Sequence, residues 1–235
     1  MMDISHDCIL NRLLLLLGIM ALCSATSVNA LPPAGHLNVK NYGAVGNGVT
    51  DDTAAFQAAL DAAGAQGGNI VFAPPGEYLF TGSLTFGRNV VLEGVMPSPH
   101  AWRSGEGTVL LVTGGAGNEN GDSFIFFSNS NASIKGLAIY YPNQSASASQ
   151  PTPYPWTISD RNVFSDNNSI VDVIMVNPYK AVEFIWAGRH FITNLCGQPI
   201  KVGVEIDKCL DVGRVENVYF GPIWANPNEH PAMCN

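Results

Sequence analysis

Apolar and polar residues recur in blocks of about 22 along the second half of the chain. Val171-Asp-Val-Ile-Met-Val-Asn-Pro178, Ile192-Thr-Asn-Leu-Cys-Gly-Gln-Pro199 and Val215-Glu-Asn-Val-Tyr-Phe-Gly-Pro222 each open on a β-branched residue. Each has an apolar residue at the fourth position and proline at the eighth, and the starts are 21 and 23 residues apart. A degenerate earlier copy begins at Ile134, with its proline one position late at Pro142. Short β-rich runs at such a period, with no helical pattern between them, fit coils that stack on one another at about 4.8 Å. Leucine-rich repeats share the period but need a regular leucine scaffold, which is absent. An antiparallel sandwich needs hairpin turns within the repeat, whereas Asn47-Gly48 and Asn120-Gly121 lie outside it. The pattern predicts an all-β chain, a right-handed parallel β-helix.

The first third reads differently. Gly43, Gly46 and Gly48 punctuate Asn38-Val-Lys-Asn-Tyr-Gly-Ala-Val-Gly-Asn-Gly-Val-Thr-Asp-Asp-Thr53. Phe56, Ala59, Leu60 and Ala63 then fall on one face of a short helix. Asp51 or Asp52 can cap that helix, or the two can form a carboxylate dyad, and Gly64 with Gly67-Gly68 is expected to stop it. Ile70-Val-Phe72 and Val90-Val-Leu92 read as strands. A short amphipathic helix ahead of stacked strands serves as a lid over an otherwise open core.

The ordered run from Asn38 to Gly94 resembles the N-terminal segment of the pectate-lyase-like superfamily, in its rhamnogalacturonase and epimerase-like branch, related to polygalacturonases and phage tailspikes. The resemblance independently implies a parallel β-helix behind a capping helix, and a secreted polysaccharide-degrading glycoside hydrolase or lyase acting on pectin-like or other cell-wall polysaccharide. It does not carry the catalysis. The Asn-Thr-Asp, Asp-Asp, Gly-His-Gly and Arg-Ile-Lys motifs of polygalacturonases do not occur downstream of the cap, and the alginate-epimerase Asp-Pro-His-Glu is absent.

The termini and charge narrow the picture further. Leu13 to Cys23 is apolar but too short to span a bilayer, and Val28-Asn29-Ala30 offers a cleavage site, so residues 1–30 read as a signal peptide. Residues 31–68 form the lead-in and cap, and 69–235 the coils. Without residues 1–30, which hold Arg12, Asp3 and Asp7, the formal charge moves from −8 to −7. An acidic chain with scattered bases is not a nucleic-acid binder, and anionic polysaccharides fit only where bases cluster, as around Arg189-His190 and Lys201. Cys196, Cys209 and Cys234 remain, an odd number for disulfides, and Cys196 is expected to be an apolar filler. No spacing indicates a metal site or cofactor, although calcium would accompany a lyase. Asn131, Asn143 and Asn167 begin glycosylation sequons. The tail from Trp224 shows no closing cap, so the sequence is expected to stop short of a complete β-helix.

Candidate chemistry follows from the stacking. Glu183 and Glu205 are 22 apart in matched contexts, which puts two carboxylates about one rung apart, as acid and base or as a ladder paired with Lys180 and Lys201. Asp207, Asp211 and Arg214 offer two carboxylates and a cation, or simply a turn held by an Asp–Arg pair. Arg189 and His190 offer a cation and a base. An insertion near 143–157 ends in Pro-spaced aromatics, and Tyr154 and Trp156 can stack on sugars or pin the loop by burial. A second loop with Trp102 raises the same question. The residues thus leave two readings, a polysaccharide-active enzyme and a non-catalytic glycan-binding, adhesive or truncated homologue. Oligomeric state is not legible.

Overall fold

The computed structural model describes residues 35–96, 98–99, 106–144, 150–161 and 163–221. The expected leader, Trp102, Cys234 and the tail from Trp224 lie outside the described residues. The first strands are β1 (Leu37–Asn38) and β2 (Asn47–Asp51), followed by helix α1 (Thr53–Ala65). Then come β3 (Asn69–Phe72), β4 (Gly76–Phe80), β5 (Leu84–Phe86), β6 (Val90–Glu93), β7 (Thr108–Val112), β8 (Ile125–Phe127) and β9 (Ser133–Tyr140). The last are β10 (Trp156–Ser159), β11 (Ser169–Val176), β12 (Lys180–Ile185), β13 (Phe191–Gly197), β14 (Val202–Asp207) and β15 (Arg214–Phe220).

Every strand pairing among the described residues is parallel. One sheet runs β1-β3-β6-β9-β11-β13-β15, with β2-β4-β7 joining it at β9, and the other runs β5-β8-β10-β12-β14. The chain is a parallel β-helix, as its repeat predicts. Inward residues of neighbouring rungs stack in columns. Leu84, Ile125, Ile158, Val182 and Val204 form one, and Leu92, Ile134, Ile170, Ile192 and Val215 another. Phe86, Phe127 and Phe184 fill the space between at centroid distances of 5.3 and 6.1 Å. Parallel strands need crossovers, and here each crossover is simply the rest of the coil.

The structure corrects the repeat's register by one residue. Ile170, not Val171, stands beside Ile134 and Ile192. Ile-Val is ambiguous to a hydrophobic pattern, but the backbone is not. Asp172, Asn194 and Asn217 all take the left-handed conformation, with φ of 54, 51 and 50°, so the three must stack. Asn194 donates to Asp172 at 2.8 Å and Asn217 donates to Asn194. A second such ladder joins Asn89, Asn131 and Asn167 at 2.8 and 3.1 Å. Asparagine tolerates this backbone and supplies both donor and acceptor, so one residue type fits every rung. Two of the three sequon asparagines are therefore members of a surface ladder, their amides bonded to one another.

Helix α1 buries Phe56, Ala59, Leu60 and Ala63, the face its spacing predicts. It runs through Gly64, and Gly67 and Gly68 turn the chain after it with φ of 82 and 125°. The two aspartates divide their work. Asp51, just ahead of the helix, accepts from its first amide, Thr53 N, at 3.0 Å. Asp52, at the N-cap position, turns its buried side chain away from the helix and accepts from Val45 N and Gly46 N at 2.6 and 3.0 Å. Burial raises Asp51, but hydrogen bonds from Thr53 and Thr81 outweigh it and hold the carboxyl below its usual range. Cys196 is a buried thiol in a small apolar cluster with Ala138 and Ile174, and burial pushes its pKa up to about 11. It is the filler its context predicts.

Candidate functional site

The second sheet gathers ionisable side chains on its outer face. Strands alternate sides, so while Ile158, Val182 and Val204 point into the core, Ser159, Glu183 and Glu205 stand in register outside it. The 22-residue spacing therefore does place Glu183 beside Glu205. Their environments are unlike. Glu205 is exposed, whereas Glu183 is 0% exposed. Its Oε2 accepts from Ser159 Oγ at 2.7 Å and from Arg161 Nε at 3.0 Å, and its Oε1 pairs with Arg161 Nη2. With both oxygens engaged, Glu183 serves to fix Arg161 rather than to exchange a proton with a substrate. Arg161 is 55% exposed and faces solvent.

Arg161 and Glu183 form one wall of a pocket of about 610 Å³. Trp156, at the start of β10, and Lys180, in register beside it on β12, form the opposite side, with the ammonium 5.1 Å above the indole centroid. Lys180 Nζ donates to Glu119 O at 2.9 Å, and Lys201 Nζ donates to Glu119 Oε1 at 2.5 Å. The Lys201 hydrogen bond holds the Glu119 carboxyl below its usual range. Lys180 and Lys201 thus partner Glu119, not the Glu183/Glu205 ladder. Asp122, exposed, also lines the pocket and forms no salt bridge among the described residues. A smaller cavity of about 160 Å³ adjoins it through Ser83, Gly121 and Asp122 and is walled by Tyr141 and Tyr154.

Other expected site residues are dispersed. Tyr154 is 0% exposed and packs edge-on against Tyr141 at 4.8 Å, so it is a core residue rather than an open sugar platform. Trp156 is 8% exposed, a strand residue with one edge at the pocket. The base of the expected insertion is held by Gln144 and Thr152, which exchange hydrogen bonds at 2.9 and 3.0 Å, while 145–149 lie outside the described residues. Asp211 pairs with Arg189 at 2.5 Å, Arg214 lies 3.9 Å from Glu216, and Asp207 lies 3.6 Å from Lys208. The expected Asp207–Asp211–Arg214 group is therefore three separate surface pairs, outside the pocket. His190 is buried at 6% exposure, its Nδ1 within 2.9 Å of Ala187 O. Gly213 makes room for it, because a Cβ there would lie 2.0 Å from the imidazole. Neither Arg189 nor His190 lines the pocket.

Asp160 escaped the sequence reading altogether. It lies between Ser159 and Arg161, is 0% exposed, and accepts from Ile185 N at 2.6 Å and Ser165 Oγ at 2.9 Å. Burial, with a further push from the Glu183 charge, raises it from 3.8 to about 6 against those hydrogen bonds. Between these two values the folded chain holds a proton that the unfolded chain has released, so stability falls as pH rises through this window and levels off above it. Asp160→Asn keeps the bond from Ile185 and lets Ser165 accept instead of donate. The variant is expected to flatten the decline between about pH 4 and pH 6 seen for the parent in urea titrations. Equal slopes for both proteins would contradict this assignment.

Among the described residues no three His, Cys, Asp or Glu side chains converge on a metal site, and no helix is long and apolar enough to cross a membrane. Known proteins give the wider setting. Mannuronan C5-epimerase AlgE1 of Azotobacter vinelandii is 39% identical over 106 residues, 42% of this chain and 8% of that protein. Plasmin and fibronectin-binding protein A of Streptococcus pneumoniae is 58% identical over 45 residues, 18% of this chain and 6% of that protein. The chain therefore matches only a small part of either relative. The exopolygalacturonase structure from Thermotoga maritima superposes with a TM-score of 0.51 at 14% identity, over 80% of this chain and 55% of that one, and shares the fold. The rhamnogalacturonase A/epimerase, pectate lyase-like family model matches residues 36–180, more than half of the chain, and the protein belongs to that family.

Proposed function

We propose that the protein is a secreted carbohydrate-active enzyme that takes an acidic polysaccharide into the pocket on the outer face of the second sheet and cleaves it, by hydrolysis or β-elimination. One observation carries this reading: Arg161, Lys180, Glu119 and Asp122 converge on one pocket beside Trp156 in a chain whose overall charge is −8. Two bases far apart in sequence meet here, each beside a carboxylate, Arg161 with Glu183 and Lys180 with Glu119. An anionic polymer would therefore be met by their remaining N–H groups rather than by a net positive field. Glu183 holds the Nε and Nη2 side of Arg161 rigid, and the Nη1 side of the guanidinium is left to meet a sugar carboxylate. Asp122, without an ion pair among the described residues, is the carboxylate left for proton transfer, with Glu119 beside it. The printed names of several relatives, mannuronan C5-epimerases and an alginate lyase, agree with an acidic substrate.

The test is product formation on polygalacturonate, rhamnogalacturonan, alginate and β-glucan. New reducing ends without ultraviolet absorbance mean hydrolysis, and both signals together mean elimination. An acidic polymer is expected to be the substrate, and Asp122→Asn to slow turnover on the order of 10²-fold. A folded protein that yields neither signal rules out cleavage of these polymers. A second reading, a non-catalytic glycan binder, is favoured by the pairing of Glu183 with Arg161 and of Glu119 with two lysines, and it predicts binding without products.

A further inference from the structure

The pocket occupies one end of the outer face, and the strands continue past it. Trp186 follows β12 directly, three residues beyond Glu183, which is roughly 10 Å along the strand. Its backbone has φ of 77°, a left-handed conformation that bulky side chains avoid. The next rung repeats the device: Ile185 pairs with Asp207, so Lys208, with φ of 54°, is Trp186's neighbour. Its ammonium lies 5.4 Å from the indole centroid. On the preceding rung, Phe164 sits 5.2 Å from Trp186, with the two rings tilted by 49°. Phe164 is 78% exposed, and the core gains nothing from it. A strained turn that sets a half-buried Trp186 against a solvent-exposed Phe164 is not explained by stability, and such strain concentrates at binding sites.

Resting on the reading of the pocket as a polysaccharide site, we infer that Phe164, Trp186 and Lys208 form a second saccharide subsite, which stacks on a pyranose ring of the same chain. The aromatic faces cover the apolar C–H face of a sugar, and Lys208 meets a ring substituent or carboxylate. The opposite edge of the sheet carries a matching element, Trp156 under Lys180. From Lys180 to Trp186 is six residues, about 20 Å of strand, so the polymer lies along the strand direction, from one aromatic end of the sheet face to the other. The Arg161–Glu183 pair lies between the two edges.

Phe164→Ala and Trp186→Asn separate this subsite from the pocket and from folding. Phe164 is exposed, and asparagine tolerates the backbone at 186, so both variants are expected to melt at or above the parent's temperature. Binding is measured against oligogalacturonates and oligomannuronates, from dimers to octamers. Octamer affinity is expected to fall roughly tenfold in each variant while the affinity for pocket-sized dimers stays unchanged. Unchanged octamer binding overturns the subsite and leaves the pocket reading standing, as does an equal loss for dimers and octamers. A parent protein that binds no oligosaccharide of any length overturns both.

Discussion

Arg161→Ala is expected to cost about 2–3 kcal/mol of stability and to abolish acidic-polysaccharide binding. The stability loss comes from Glu183 rather than from the arginine itself. Removing the guanidinium leaves a carboxylate of 0% exposure with Ser159 as its remaining side-chain partner, and an uncompensated buried charge is costly. The figure sits below the usual range for breaking a buried pair because solvent reaches Arg161 itself. Arg161→Leu with Glu183→Met removes both charges and is expected to recover most of the stability without recovering binding. Urea titrations read the first effect and polysaccharide titrations the second. If the single variant is as stable as the parent, the pair does not hold this corner of the sheet together.

Phe80→Ala is expected to be the most damaging single change in the core, at about 3–5 kcal/mol. Phe80 on β4 is 0% exposed and meets Phe56 of α1 edge-on at 4.9 Å and Phe124, just before β8, at 5.1 Å. It therefore ties the capping helix and one sheet to the start of the other. A solenoid transmits stability between neighbours, so a cavity under the lid is expected to loosen the first coils before the later ones. Hydrogen exchange would show this as lost protection in β2–β8 ahead of β11–β13. Uniform loss along the chain, or a cost under about 1 kcal/mol, would contradict this role for Phe80.

What the sequence made legible followed from its period. The 22-residue spacing gave the parallel β-helix and the alignment of Glu183 with Glu205, and the helical spacing gave the buried face of α1. The same spacing counted backwards from Glu183 lands on Arg161, the partner that changes the meaning of Glu183. The insertion hides that rung, because the coil that carries β10 follows it. Glu119 lies 61 residues before Lys180 and 82 before Lys201, and no local pattern could connect them. Tyr154 looked like part of a surface loop because prolines flank it, but the loop returns to the core before β10. Of the ladder Asn89, Asn131 and Asn167, the last two read only as glycosylation sequons until stacking showed the three amides bonded to one another.

The most direct test of the polysaccharide site is a crystal structure of the protein with an acidic oligosaccharide bound. Sugar density is predicted on the outer face of the second sheet, with a carboxylate on Arg161 and a ring against Trp156, reaching toward Trp186 in longer ligands. Sugar bound on the outer face of the other sheet, or no sugar at saturating ligand, would contradict the account.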